Sequence, residues 1–331
     1  MLGHGLPFFV VVPDSDGGQA VSRLPGLTGP DIRVVPHPSG RPWIVGRWGD
    51  DELVTASAGG NALTLIGLAD VGERRLRTRA GQLSDVEQLT GCLRAWRGSF
   101  HAIATIDGRT RIQGTAYGLR RVYHAVVDGV LVAGDRAAVL AALAGAELDP
   151  GALATRLMLP TPYPLSERPM WTNVHAVRPG YYLEVSRGGD RRHVRWHRPP
   201  EPEVPLGEGA RAVRAELDTA VALRVAACGP VSADMSGGLD STSLTFLAAR
   251  HARPGELIAC TGADNPATND DLPWARRAAA HLPGVEHDLH TGKDLPLFYD
   301  GAFDSDDRFD RPSDVTVTRL RATTAVRRMA P

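Results

Sequence analysis

The sequence predicts an α/β protein of two domains, because a β-rich first half is followed by a stretch in which strands and helices alternate. The pattern changes at Arg198–Pro205, which is rich in proline and in polar residues and is typical of a linker. We therefore expect a first domain at residues 1–197, a linker at 198–206 and a second domain at 207–331. Each domain is long enough to bury its own core.

The first half predicts antiparallel strands, since apolar and β-branched residues occur there in short runs. Phe8–Val12 and Trp43–Gly46 are two such runs. Asp107-Gly108 and Asp128-Gly129 each separate two apolar runs, and Asp-Gly favours the tight turns that join antiparallel strands. These two positions are therefore predicted to be hairpins.

The second half predicts a parallel sheet. An amphipathic helix is expected over Glu208–Ala227, where apolar residues recur every four positions, at Val213, Leu217, Val221 and Val225. Strands predicted at 231–235, 257–260 and 285–289 alternate with helices from about 239 and at 271–282. A β-α-β-α-β order favours parallel strands joined by right-handed crossovers.

Composition excludes several function classes. The formal net charge is −1 and neither half carries a long basic run, so neither nucleic acid nor a membrane is an expected partner. No run approaches the roughly 20 apolar residues of a membrane helix. The three cysteines, Cys92, Cys228 and Cys260, are widely spaced and suggest neither disulfides nor zinc. A cytoplasmic protein is predicted.

One loop has the pattern of an anion-binding site. Ser236-Gly237-Gly238-Leu239-Asp240-Ser241 follows a predicted strand and opens a predicted helix, where parallel sheets bind ligands. Glycines let the backbone approach a ligand, and the amides of a helix N-terminus attract phosphate. Hydroxyl groups of Ser236, Ser241 and Thr242 add donors, while Asp240 beside phosphates indicates Mg²⁺. The alternative is an ordinary capped turn. The Walker pattern G-x-x-x-x-G-K-[ST] is absent from this loop.

The same six residues resemble the pyrophosphatase loop of the asparagine synthetase superfamily, whose members cleave ATP between the α- and β-phosphates. Further stretches resemble the family's patterns in the same order, namely Leu93–Ala104, Tyr117–His124, Leu131–Asp135, Val174–Tyr181 and Asp270–His287. The resemblance implies a class II glutamine amidotransferase-like (Ntn-type) β-sandwich flanked by helices. It also implies an incomplete second domain, the N-terminal part of a parallel-sheet ATP-pyrophosphatase of the adenine nucleotide α-hydrolase-like kind.

The resemblance also implies ATP and Mg²⁺ as cofactors and assigns roles to residues of the loop. Pyrophosphate would be held by Ser236, Gly237, Gly238, Ser241 and Thr242, with Asp240 also at the ATP site as the Mg²⁺ ligand. An adenosine pocket would be lined by Met235, Cys260, Thr261 and Gly262, for which packing in the core is an equal alternative.

The amine donor is expected to differ from that of a glutamine-dependent synthetase. Those enzymes carry a nucleophilic cysteine at position two, where this chain has Leu2, and leucine cannot attack an amide. The family's Asn-Gly oxyanion element is not evident near Trp43–Trp48. Relatives whose amine belongs to the substrate are therefore favoured. Ser39–Trp48 looks most like the lasso-peptide macrolactam cyclases of actinobacteria.

A cyclase of this kind would join an Asp or Glu side chain of a precursor peptide to that peptide's own N-terminus. The expected partners are the precursor peptide, a leader-recognition protein and a leader protease. An asparagine synthetase or a β-lactam synthetase-like ligase is the alternative reading of the same motifs.

The C-terminal stretch departs from the family as well. The family's G-x-G-x-D-E loop and a later catalytic lysine are not reached before Pro331, and Lys293 is the only lysine. A truncated synthetase is therefore expected: a fragment, a frameshifted product or one half of a split enzyme. The catalytic residue is unassigned, and a non-catalytic nucleotide- or peptide-binding protein is a second alternative.

Overall fold

The structure is a computed structural model that describes residues 6–158, 161–263 and 271–291. The chain divides into two compact units, one ending at Pro199 and the other beginning at Pro200. Some of the sequence predictions concern residues outside the described ranges, namely Leu2, Asp270, Lys293 and the C-terminal stretch.

The described residues of the first unit form twelve strands and five α-helices. Its strands are β1 (Phe8–Val11), β2 (Arg33–Pro36), β3 (Pro42–Arg47), β4 (Leu53–Ala58), β5 (Asn61–Ala69), β6 (Gly98–Ile106), β7 (Arg109–Gln113), β8 (Val122–Val127), β9 (Val130–Gly134), β10 (His175–Val177), β11 (Tyr181–Val185) and β12 (Arg191–Arg195). Its helices are α1 (Asp16–Val21), α2 (Glu73–Gln82), α3 (Leu89–Ala95), α4 (Ala137–Ala144) and α5 (Pro150–Arg156).

These strands form two six-stranded sheets of antiparallel neighbours. The first sheet has the order β10-β8-β9-β1-β3-β2 and the second β12-β11-β7-β6-β5-β4. Apolar side chains of both sheets meet in one cluster that includes Trp43, Ile103 and Leu183. Because the two sheets share this core, they pack face to face. The predicted antiparallel character of the first half is confirmed.

Helices cover the outer face of each sheet. Val21 of α1 and Leu140 of α4 pack on the first sheet, in a cluster with Val10 and Val132. Leu76 of α2 and Leu89 of α3 pack on the second sheet. The first unit therefore has four layers, helix on sheet on sheet on helix.

Both predicted Asp-Gly hairpins are present. Asp107 and Gly108 have φ of 49° and 72°, and Asp128 and Gly129 have φ of 49° and 78°. Two successive positive φ values define the type I′ turn, whose twist matches that of the flanking strands. A third turn of this kind, at Gly59-Gly60 between β4 and β5, was not predicted, although Gly-Gly is itself a hairpin signal.

The second unit follows the predicted alternation. Helix α6 (Leu206–Cys228) leads into β13 (Val231–Asp234), α7 (Leu239–Ala249), β14 (Leu257–Ala263), α8 (Asp271–Ala279) and β15 (Glu286–Thr291). The three strands pair in parallel in the order β13-β14-β15. The predicted mixed α/β class, with antiparallel sheets followed by a parallel sheet, is thus confirmed.

The predicted apolar face of α6 is only partly buried. Val225 is buried against Ala248 and Leu257, whereas Val213 and Leu217 are 59% and 42% exposed. These two residues line an open cavity of about 860 Å³ next to Phe246. The helix is therefore amphipathic in sequence along its whole length but packed mainly at its C-terminal end.

Among the described residues, no helix has both the length and the apolar character needed to cross a bilayer.

Candidate functional site

The predicted phosphate loop lies between β13 and α7, at the carboxyl end of a parallel strand. Strand β13 ends at Asp234, the side chain of Met235 is fully buried, and α7 begins at Leu239 with Gly238 as its N-cap. Helix α7 has 11 residues, and its first amides carry the positive end of the helix dipole. The sequence prediction of this local structure is confirmed.

Gly237 turns the loop in a conformation that other residues rarely adopt. Its φ is +87°, and a Cβ at this position would lie 2.5 Å from Cβ of Trp274 and 2.6 Å from the backbone nitrogen of Ala275. Both neighbours belong to α8. Glycine is therefore required twice at this position, once for the backbone angle and once because α8 packs directly against the loop.

Two serine side chains close the loop. The backbone amide of Ser236 donates to Oγ of Ser241 at 3.1 Å, and the two Oγ atoms lie 2.9 Å apart. The amide of Gly238 donates to Oγ of Ser236 at 3.2 Å. One hydroxyl proton is used between the two serines, which leaves the second for another acceptor. The loop is thus shaped by its own hydrogen bonds, and one of its two serine hydroxyl protons has no acceptor among the described residues.

Asp240 and Thr242 lie in the first turn of α7. Asp240 is exposed. Oγ1 of Thr242 is buried and has no hydrogen-bond partner within the described part of the chain. Buried hydroxyls without partners are rare in proteins, and an unpaired donor at a helix N-terminus fits an anionic ligand such as a phosphate.

The residues present also fit a magnesium ion that is shared with phosphates. In residues 6–158, 161–263 and 271–291, no group of three or more His, Cys, Asp or Glu side chains could hold a metal by itself. Mg²⁺ is commonly bound by one or two carboxylates together with substrate phosphates. Asp240 fits that mode, in which the phosphates supply the remaining charged ligands.

The four residues predicted to line an adenosine pocket lie in different surroundings. Met235 packs in the core with Ala259 and Leu282. Cys260 is aligned with Asp234 on one side and Asp288 on the other, and burial, followed by the two carboxylates, raises the pKa of its thiol to about 11. The Cys260 thiol is therefore protonated at neutral pH and is a poor nucleophile.

The other two predicted pocket residues differ in exposure. Thr261 is 1% exposed, and its hydroxyl lies 2.6 Å from the Met235 carbonyl. Gly262 is exposed at the end of β14, with open space where a Cβ would stand. Of the four residues, Gly262 leaves the most room for a ligand.

Residues to which the sequence analysis assigned no role at the site support the loop from behind. Oγ1 of Thr245, in α7, is 3.0 Å from the carbonyl oxygen of Asp234. Nε2 of His287, in β15, is 2.8 Å from Oγ1 of Thr261. Thr245 is buried on the inner face of α7, but no local sequence pattern indicates that its hydroxyl reaches the preceding strand.

Sequence comparison gives a family match in the second unit. The family model of asparagine synthase matches residues 212–302, a range that contains the whole loop. A curated protein, the amidase chyE of Penicillium rubens, is 30% identical over 149 residues. That alignment covers 43% of this chain, which spans only 21% of the amidase.

Solved structures give weaker likenesses. A glutamine phosphoribosylpyrophosphate amidotransferase from B. subtilis, complexed with ADP and GMP, is 13% identical with a TM-score of 0.37, over 95% of this chain and 70% of that one. A glutamine-dependent NAD⁺ synthetase from Acinetobacter baumannii, in complex with ADP, is 20% identical with a TM-score of 0.27, over 44% and 26% of the two chains. At TM-scores this low, neither likeness carries a conclusion about this chain.

Proposed function

We propose that this chain belongs to an ATP-dependent ligase that forms amide bonds by adenylating a substrate carboxylate. A side-chain carboxylate of the substrate attacks the α-phosphorus of ATP and releases pyrophosphate, and an amine then displaces AMP. The observation that carries the proposal is the loop Ser236–Ser241, which joins a positive-φ glycine, two hydrogen-bonded serines and the start of α7 in one turn. The asparagine synthase family match over residues 212–302 supports it.

The loop residues would act by binding and orienting the phosphates. In this proposal, the amides at the start of α7 and the hydroxyls of Ser236, Ser241 and Thr242 would face the position where negative charge collects when pyrophosphate leaves. Donors that are already in place need no reorganisation during the reaction, which is the main electrostatic advantage of such a site. Asp240 would hold Mg²⁺, whose chemistry is to neutralise phosphate charge.

The finer proposal is a macrolactam cyclase acting on a precursor peptide, in lasso-peptide biosynthesis. It rests on the resemblance of Ser39–Trp48 to cyclases and on an amine that comes from the substrate. The position of Cys92 is consistent with an amine that comes from the substrate and not from glutamine. Cys92, which belongs to the first unit, packs with the cluster on the outer face of the second sheet, whereas β1 belongs to the first sheet. We expect no glutamate release from glutamine.

The precursor peptide, a leader-recognition protein and a leader protease are the partners that this proposal names. An asparagine synthetase or β-lactam synthetase-like ligase shares the loop and the adenylation step and differs in the amine and the carboxylate. Glutamate release, measured with glutamine as the only amine source, would favour the asparagine synthetase.

Exchange of labelled pyrophosphate into ATP, driven by the precursor peptide, tests the proposed function. Asp240→Asn keeps the size of the side chain and removes its charge, so we expect exchange to fall to background. Glu208→Gln is the matched control, because Glu208 is also an exposed first-turn carboxylate in the second unit, at the start of α6. Exchange that is unchanged in Asp240→Asn contradicts the proposal. MgATP binding without any exchange in the wild type would favour a non-catalytic binding protein.

A further inference from the structure

Two buried threonine hydroxyls contact the two backbone carbonyls that lead into the loop, and that of Thr245 is also 3.0 Å from the Ser241 carbonyl oxygen. Oγ1 of Thr245 is 3.0 Å from the carbonyl oxygen of Asp234, and Oγ1 of Thr261 is 2.6 Å from that of Met235. The two threonines are 0% and 1% exposed. Strand β13 ends at Asp234. The Met235 carbonyl therefore accepts its hydrogen bond from a side chain, whereas backbone groups within the strand are paired with the backbone of β14.

Both backbone groups of Met235 are hydrogen-bonded. Its nitrogen donates to the carbonyl of Cys260 at 2.7 Å, which continues the pairing with β14 by one residue. Its carbonyl oxygen accepts from Thr261, one residue further along the same strand. The amide of Ser236 belongs to the peptide unit of that carbonyl. The direction of the Met235 carbonyl therefore sets the direction in which the loop's first amide points.

Hydrogen-bond accounting determines the proton arrangement behind this contact. A carbonyl oxygen only accepts, so at 2.6 Å the single hydroxyl proton of Thr261 must lie between Oγ1 and the Met235 oxygen. Nε2 of His287, 2.8 Å from the same Oγ1, must then carry a proton and donate it. The chain of donors runs from His287 to Thr261 to Met235, and it requires the Nε2–H form of the imidazole.

We propose that Thr261, oriented by His287, is a positioning residue that fixes the Met235 carbonyl and thereby the direction of the loop amides. The role in pyrophosphate binding rests on the proposed function, whereas the positioning itself does not. Thr261 would serve the site through hydrogen bonding within the protein. This role differs from the direct lining of an adenosine pocket that the sequence predicts for it.

The test compares Thr261→Val with Thr261→Ser in the full chain. Valine keeps the branched shape and deletes the hydroxyl, while serine keeps the hydroxyl. We expect amide hydrogen exchange at Ser236–Gly238, followed by NMR, to become at least about 10-fold faster in Thr261→Val, since a buried carbonyl loses its donor. Thr261→Ser should restore protection to within about threefold of the wild type. Equal protection of the loop amides in the wild type and Thr261→Val overturns the proposal.

A second variant pair keeps the proposal testable if Thr261→Val fails to fold. His287→Gln can still place an N–H near Thr261, and His287→Leu cannot. We expect loop exchange to quicken in His287→Leu and to stay near the wild-type rate in His287→Gln. In the wild type, the imidazole nitrogen shifts should show Nε2 protonated and Nδ1 unprotonated at neutral pH. An Nδ1–H tautomer would contradict the donor chain.

Binding of inorganic pyrophosphate with Mg²⁺, measured by calorimetry, separates this proposal from the proposed function. Loss of one supporting hydrogen bond should raise the Kd by roughly 3- to 10-fold in Thr261→Val and little in Thr261→Ser. If the wild type binds no pyrophosphate, the proposed function fails while the exchange data still decide the positioning. If the wild type and Thr261→Val bind pyrophosphate equally and protect the loop equally, the positioning role is wrong and the proposed function stands.

Discussion

The side-chain oxygens of Ser236 and Ser241 lie 2.9 Å apart, so the loop before α7 is closed by a bond between its own hydroxyls. Ser236 Oγ also accepts from the amide of Gly238. A loop that is already folded around these bonds loses little further conformational entropy when it binds an anion. The pair therefore matters for affinity as well as for local structure.

Ser241→Ala tests the contribution of this pair. The change removes the acceptor of the Ser236 amide and leaves that donor without its partner, so we expect the Kd for magnesium pyrophosphate to rise by roughly 3- to 10-fold. Ser243→Ala, two residues further along α7 at an exposed position, is the control and should bind like the wild type. The measurement is calorimetric titration of the wild type and the two variants with magnesium pyrophosphate. Equal affinities would mean that the hydroxyl pair does not shape the site.

Gly237→Ala probes the contact between the loop and α8. Alanine at a φ of +87° costs about 1 kcal/mol in the backbone, and its Cβ would lie 2.5 Å from Cβ of Trp274, which adds about 2 kcal/mol of steric strain. Gly255→Ala shares the positive φ, +83°, but meets nothing within 4 Å. We expect Gly237→Ala to lose about 3 kcal/mol of unfolding free energy and Gly255→Ala about 1 kcal/mol. The measurement is denaturant-dependent hydrogen exchange of β14 amides, and equal losses would rule out the steric contribution.

Sequence rules for turns and helix ends predicted the structure correctly where it depends on residues adjacent in the chain. The Asp107-Gly108 and Asp128-Gly129 hairpins and the strand–loop–helix unit at Ser236–Ser241 follow from turn chemistry and helix capping, and each is present. Donors behind the loop could not be predicted in this way. Thr261 and His287 are 26 residues apart and meet only because β14 and β15 pair in parallel.

The apolar periodicity of α6 predicted more burial of this helix than the structure shows. Val213 and Val225 occupy the same predicted face of α6, yet Val225 is buried and Val213 is 59% exposed. A repeat in the sequence defines which side chains share a face, but burial requires a partner surface, which only the tertiary structure provides. In the described residues, that surface covers the C-terminal end of α6.

Arg111 provides a stability prediction for the first unit. Its guanidinium is fully buried, donates to the carbonyl of Val86 at 2.9 Å and to Gln113, and stacks 3.8 Å from the ring centroid of Tyr182. Burial lowers the pKa of Arg111 to about 10, so the group stays charged at neutral pH. Arg111→Met leaves these buried acceptors without a donor, so we expect a loss of about 3 kcal/mol or more of unfolding free energy.

Urea unfolding followed by tryptophan fluorescence measures this loss, since five of the six tryptophans lie in the first unit. Arg187→Met is the control, because the ion pair of Arg187 with Asp107 is exposed and should contribute less than about 1 kcal/mol. Similar losses in the two variants would show that burial of Arg111 does not make its hydrogen bonds more important.

His101 predicts how the stability of the first unit depends on pH. The side chain is 4% exposed, and its Nε2–H donates to the Arg121 carbonyl at 2.9 Å. Burial lowers the pKa of His101 from 6.5 to about 4, against the opposing effect of that carbonyl. The unfolded chain therefore binds a proton between these two pH values that the folded chain does not bind. The contribution of the neutral His101 side chain to the unfolding free energy is fully present above pH 6.5, and it is lost as the pH falls towards 4.

The expected contribution of His101 over this window is about 3 kcal/mol, with a slope of at most about 1.4 kcal/mol per pH unit. His101→Gln retains a donor for the Arg121 carbonyl and does not titrate, so its unfolding free energy should fall less steeply with acid than that of the wild type. Tryptophan-monitored urea unfolding at several pH values between 7 and 4 measures both slopes. His281→Gln, in the second unit, is the control for replacing a histidine outside the unit that contains His101. Identical slopes in His101→Gln and the wild type would show that His101 titrates alike in the folded and unfolded states, and the buried imidazole would then not be a source of acid sensitivity.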